Sequence, residues 1–213
     1  MKTDDLIAML ASRVQAIDPR IAAYRYLVAI GAGGAAAIAL LLAALGLNPG
    51  LAHEVRLPMF WVREAFCAGS AVLAMTLVIR SGRPGVPRGR IAMALPIPLL
   101  VMWLLAAIAL LNAPAEGRVP LLLGGSARVC PLRIAILASP FWVAFTWALR
   151  GFAPTRLRST GAVAGFAAGA LGALVYTLHC PELAAPFLGV WYALGMLIPA
   201  LAGALLGPRV LRW

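Results

Sequence analysis

Two cysteines, each followed by proline, are the residues of this chain whose types are best suited to chemistry. They are Cys130 and Cys180, and the second stands in a His-Cys-Pro-Glu sequence that begins at His179 and ends at Glu182. Thiolates are the nucleophiles of thiol oxidation and are good ligands for soft metal ions. If the fold brings these two thiols to one end, they could form a disulfide or bind a metal.

The composition predicts that membrane helices position these thiols. Hydrophobic residues make up 63% of the chain and charged residues 12%, and the mean hydropathy is +0.94. A membrane span needs ~20 predominantly apolar residues, and the chain has six such runs. We therefore predict an all-α polytopic membrane protein with a transmembrane domain over residues 26–206 and tails over 1–25 and 207–213. The predicted spans are Tyr26–Leu47, Phe60–Ile79, Ile91–Leu111, Ile134–Leu149, Thr160–Leu178 and Phe187–Leu206.

The distribution of basic residues predicts the orientation. With six spans, thirteen of the 18 lysines and arginines fall on the side of the N-terminus and five on the opposite side. Basic residues concentrate in cytoplasmic segments, so we expect both termini in the cytoplasm. Topology and attraction to anionic lipid thus account for the net charge of +11, and we expect no direct binding of nucleic acid.

This orientation places Cys130 and Cys180 outside the cytoplasm, where an oxidising environment permits a disulfide. His179 and Glu182 are candidate accessory ligands, although His179 needs a bent turn to share an ion with its neighbour and is otherwise an ordinary interfacial histidine. We expect no constitutive cofactor, only a regulatory soft metal or a disulfide. A purely structural disulfide is the alternative. Cys67 lies within the second span and is expected to be a small buried hydrophobe.

Two other features concern helix packing and charge. The fifth span carries a ridge of glycines at helical spacing, which lets a neighbouring helix approach closely: Gly161, Gly165, Gly169 and Gly172. Self-association through this ridge is left open. Arg63 and Glu64 lie near the outer end of the second span, and we expect them to reach the membrane interface.

The N-terminal tail has the pattern of a short amphipathic helix. Thr3 is a suitable N-cap, and Asp4 and Asp5 then lie at the positive end of the helix dipole. The apolar positions that follow recur at helical spacing: Leu6, Ile7, Leu10, Val14 and Ile17. Two leading acids disfavour anionic lipid headgroups, so we expect this helix to contact a protein partner.

Four parts of the sequence together resemble a known family: the start from Met1 to Ile7, Cys130-Pro131, His179 to Glu182, and the Phe187-Leu188 and Trp191-Tyr192 pairs. The chain resembles the NrsF-like membrane anti-sigma factors, which are six-span bacterial inner-membrane proteins. The resemblance implies that the protein binds an extracytoplasmic-function sigma factor at its cytoplasmic side. It also implies that Cys130 and Cys180 sense heavy metals or oxidants and that Thr3–Leu10 contacts the sigma factor.

Two other function classes are weighed against this one. A membrane thiol oxidoreductase needs a close pair of reactive cysteines and a second pair to relay electrons, but the chain has three cysteines in all. A small transporter or channel needs internal repeats or acidic residues at mid-membrane depth, and the sequence offers neither convincingly. No catalytic triad is recognisable, and we do not expect an enzyme.

Overall fold

The computed structural model describes residues 9, 19–83, 89–152 and 154–212. Within these residues there are no strands, and six helices are long and apolar enough to cross a membrane, which confirms the prediction of six apolar helices. They are numbered span one to span six: Ile21–Ala44, Pro58–Ser81, Gly89–Asn112, Cys130–Arg150, Leu157–Tyr176 and Ala185–Val210. The predicted N-terminal helix lies outside the described residues, and the orientation of the termini stays a prediction.

Short elements connect or interrupt the spans. A single helical turn, Leu51–Glu54, joins spans one and two, and the helix Ala115–Leu123 lies between spans three and four. Span three is divided into Gly89–Ala94 and Ile97–Asn112, as expected where Pro96 and Pro98 remove backbone donors. Span six opens with Ala185–Phe187 and then widens into a π-helical turn, Leu188–Tyr192, before Ala193–Val210.

Span four begins earlier than the sequence suggested. We predicted a start at Ile134, with Cys130 in the preceding loop, but Cys130 is the first residue of the helix. The reason is Pro131, because a proline in the first turn lacks only an N–H that has no helical partner there. The cysteine is therefore fixed to the end of a rigid helix.

Glycines bring span five into backbone contact with span six. A Cβ atom at Gly161 would lie 2.1 Å from the carbonyl oxygen of Gly203, and one at Gly165 would lie 2.0 Å from that of Pro199. Gly169 lies in the same way against Met196 of span six, whereas Gly172 faces span four. The ridge is thus buried within the chain, and it holds spans four, five and six as one packed unit.

Candidate functional site

The structure brings Cys130 and Cys180 together at one end of the helix bundle. Cys130 begins span four, and Cys180 lies in the turn between spans five and six, residues 177–184, which we call the thiol turn. The two side chains interact directly, and both are free thiols. They are 0% and 1% exposed, so a reagent must displace part of the protein to reach them.

Hydroxyl groups surround the thiol pair. The Ser126 Oγ lies 3.9 Å from the Cys180 Sγ. Tyr176 and Tyr192 are fully buried in the same cluster, with ring centroids 5.9 Å apart. The π-helical turn of span six carries Tyr192 to this position. Cys67 belongs to the same buried cluster, so it is buried as predicted but closer to the pair than the sequence indicated.

The arrangement favours a thiolate at Cys180. The pKa of the Cys180 thiol is lowered, mainly because the Cys130 thiol donates a hydrogen bond to its sulfur. Burial acts in the opposite direction, and the Glu182 N–H assists in lowering the pKa. A thiolate beside a thiol can attack an oxidant or bind a soft metal ion near neutral pH. The chemistry open to this pair is therefore disulfide formation or metal binding.

Arg63 is the functional residue that the sequence interpretation missed. We expected its side chain at the membrane interface, but it is 0% exposed and points into the protein. Its Nη1 donates to the carbonyl oxygens of Cys180 at 2.7 Å and Glu182 at 3.3 Å, and its Nη2 donates to that of Thr177 at 3.1 Å. An arginine within an apolar span is a signal for such a role, because a charge there requires partners.

Two carboxylates balance the charge of Arg63. Its Nη2 lies 3.7 Å from an oxygen of Glu54, and its Nε lies 3.5 Å from an oxygen of Glu64. Glu54 is itself buried and accepts a hydrogen bond of 2.6 Å from the Asn48 amide. The cation is therefore neutralised inside the protein, at the point where span two meets the thiol turn.

The two predicted accessory ligands are engaged elsewhere. The Nε2 of His179 lies 3.2 Å from Arg133 and its Nδ1 lies 3.1 Å from the carbonyl oxygen of Gly46. A Glu182 carboxylate oxygen accepts the N–H of Gly125 at 2.7 Å. Among the described residues, no group of three or more histidine, cysteine or acidic side chains is placed to hold a metal. The two cysteine sulfurs remain as the candidate ligands, and metal binding stays a prediction.

The opposite end of the bundle is basic. Arg83, Arg90, Arg150, Arg156, Arg158, Arg209 and Arg212 are exposed where spans two, four and six end and spans three and five begin. The predicted sigma contacts precede span one in the sequence and lie outside the described residues: Thr3, Asp4, Asp5, Leu6, Ile7 and Leu10.

Comparisons with known proteins agree on one family. A family model described as "Negative regulator of sigma F" matches residues 10–213. The chain is 46% identical over 213 residues to the probable anti-sigma-F factor NrsF of Azospira oryzae, and 35% identical over 215 aligned residues to the anti-sigma-F factor NrsF of Caulobacter vibrioides. Both alignments cover all of this chain and all of the relative. No solved structure is significantly similar to the chain.

Proposed function

Because the chain belongs to the family of negative regulators of sigma F, a regulatory and non-enzymatic class, we propose that it is a membrane-bound anti-sigma factor. It lies in the bacterial inner membrane with both termini in the cytoplasm. There it sequesters an extracytoplasmic-function sigma factor and releases it when heavy metal or oxidant alters the periplasmic thiols. The observation that carries the sensing part is the direct contact between Cys130, at the start of span four, and Cys180, in the thiol turn.

The contact between these cysteines supports a chemical input at one end. A bond between the two sulfurs, or a metal ion held by both, would join the start of span four to the thiol turn. The packed thiols must shift to accommodate such a bond, because their surroundings are closed. Buried packing of this kind responds by changing between arrangements rather than by deforming smoothly.

We assign binding of the sigma factor to the basic end of the bundle and to the N-terminal segment. On the proposed orientation this end faces the cytoplasm, where the exposed arginines complement an acidic partner surface. The segment Thr3–Leu10 adds two acids and an apolar stripe, which suit insertion into a groove of the sigma factor.

Transmission between the two ends requires that the signal favour one of two arrangements of the spans. Span five contacts span six through glycines along much of its length, and Gly172 places span four against it. A displacement of the thiol end is therefore passed along three helices that cannot separate easily.

The test of the proposed class is a pull-down of the detergent-solubilised protein from its host lysate, with and without residues 1–12. We expect a sigma factor to co-purify with the intact protein and to be lost with the truncated one. Intact, folded protein that recovers no sigma factor would refute the proposal. A small-solute flux in proteoliposomes of the purified protein would instead support the transporter alternative.

A further inference from the structure

The thiol turn is attached to several other parts of the chain. Arg63 of span two binds three of its carbonyl oxygens. The segment before span four provides the Gly125 N–H for Glu182, and the segment after span one donates the Asn48 N–H to the carbonyl oxygen of Leu178 at 2.9 Å. Hydrogen bonds therefore hold the turn at several points, and the Cys180 side chain lies on the side of the turn that faces the protein interior.

Arg63 is the strongest of these attachments. A charged donor forms stronger hydrogen bonds than a neutral one, and its planar guanidinium binds several acceptors at fixed angles. Its Nη1 bridges the carbonyl oxygens of Cys180 and Glu182, which flank Pro181. This bridge fixes two peptide units that follow the sensor cysteine.

Because Arg63 is buried, its guanidinium depends on the carbonyl oxygens of the turn as hydrogen-bond partners. If the turn leaves, the guanidinium, which is 0% exposed with the turn in place, loses three carbonyl partners. Glu54 and Glu64, at 3.7 and 3.5 Å, do not replace them, because neither contact has the geometry of a hydrogen bond. Each opening of the turn thus breaks several charged hydrogen bonds at once.

We propose that Arg63 is a positioning residue that holds the thiol turn closed over Cys130 and Cys180, so that a signal reaches the thiols only when the turn detaches from span two. This role of Arg63 rests on the proposed function, since it controls access to the same thiol pair.

The experiment measures how fast N-ethylmaleimide labels each cysteine of the full-length protein in liposomes, resolved by mass spectrometry of peptides. The thiolate adds to the maleimide double bond: an S–C bond forms, the C=C π bond breaks, and the adjacent carbon takes up a proton. No oxidant, metal or sigma factor takes part. A failure of sigma-factor binding is therefore distinguishable from a failure of this proposal.

Arg63→Gln and Arg63→Lys are compared with the wild type and with Arg56→Gln, which changes an exposed arginine at the same end of the bundle. We expect Arg63→Gln to raise labelling of Cys130 and Cys180 at least ~10-fold, since the loss of one charged hydrogen bond already changes an opening equilibrium by about that factor. The labelling rate of Arg63→Lys should fall between those of Arg63→Gln and the wild type, because an ammonium group keeps the charge but lacks the planar set of donors of a guanidinium. Arg56→Gln should match the wild type.

Cys67 shares the buried cluster but is held by span two rather than by the thiol turn, one helical turn beyond Arg63, and it therefore serves as the internal control. Its labelling should stay at the wild-type rate when only the turn opens. Equal rates at Cys180 in Arg63→Gln and the wild type overturn the proposal. So does a parallel rise at all three cysteines, which would make Arg63 a residue of general stability. If Arg63→Gln does not fold, the same comparisons on Arg63→Lys decide the matter.

Discussion

The contact between spans five and six predicts a large effect of adding one methyl group at Gly165. The Cβ of Gly165→Ala would lie 2.0 Å from the carbonyl oxygen of Pro199, 2.6 Å from its carbonyl carbon and 2.9 Å from the Cα of Ala200. All three are backbone atoms, so no side-chain rotation relieves the overlap. Ordinary contacts begin at 3.4 Å, and the two helices must therefore separate by more than an ångström at this point.

The expected change in the free energy of unfolding is the sum of two opposing effects. Overpacking of a well-packed core destabilises by ~1–3 kcal/mol, and a clash with rigid backbone belongs at the upper end of that range. Alanine in place of glycine within a helix stabilises by ~0.5–1 kcal/mol. We therefore predict a net loss of ~2 kcal/mol in the free energy of unfolding for Gly165→Ala.

Gly31→Ala is the matched control, because it is the same substitution in span one, where no atom of the described residues beyond the adjoining helix backbone lies within 4 Å of the new Cβ. It should leave stability unchanged or raise it by up to ~1 kcal/mol. The assay is unfolding of both variants in mixed micelles, followed by helix content. If Gly165→Ala is as stable as Gly31→Ala, the close backbone packing of spans five and six is refuted.

Two further predictions concern the thiol end. Labelling of Cys180 by a maleimide should rise with pH through a midpoint below that of an ordinary thiol, because the hydrogen bond from Cys130 lowers the pKa of Cys180. Cys130→Ala removes the main donor and should move the midpoint upward, and an unchanged midpoint would contradict the hydrogen bond. Trp103→Phe removes the indole donor that binds the carbonyl oxygen of Gly189 at 2.9 Å in the π-helical turn. It should lower the free energy of unfolding by ~0.5–1.5 kcal/mol in the same micelle assay, and an unchanged value would contradict a stabilising role of this hydrogen bond.

The properties that depend on local sequence were predictable. Apolar runs of span length define the six helices, because hydrocarbon imposes a minimum length and requires every backbone group to be paired within the helix. The break of span three follows from Pro96 and Pro98. The spacing of the glycines in span five indicated a close contact, although only the structure identifies its partners as Gly203, Pro199 and Met196.

The properties that depend on distant contacts were not predictable from the sequence. The start of span four at Cys130, the π-helical turn that carries Tyr192, and the burial of Arg63 all arise where several spans meet. Arg63 has its carbonyl partners more than a hundred residues away in the chain, at Thr177, Cys180 and Glu182. A periodic pattern within one helix holds no information about such a contact.

The most direct test of the central claim is the release of the sigma factor from membranes that hold the full-length protein, before and after exposure to cadmium or to a thiol oxidant. The account predicts release from the wild type and from Cys67→Ser, and retention by Cys130→Ser and Cys180→Ser, which should accumulate normally and still bind the sigma factor. Release from the Cys130 and Cys180 variants at the wild-type level would contradict thiol sensing. Loss of abundance of these two variants would instead assign the pair a structural role.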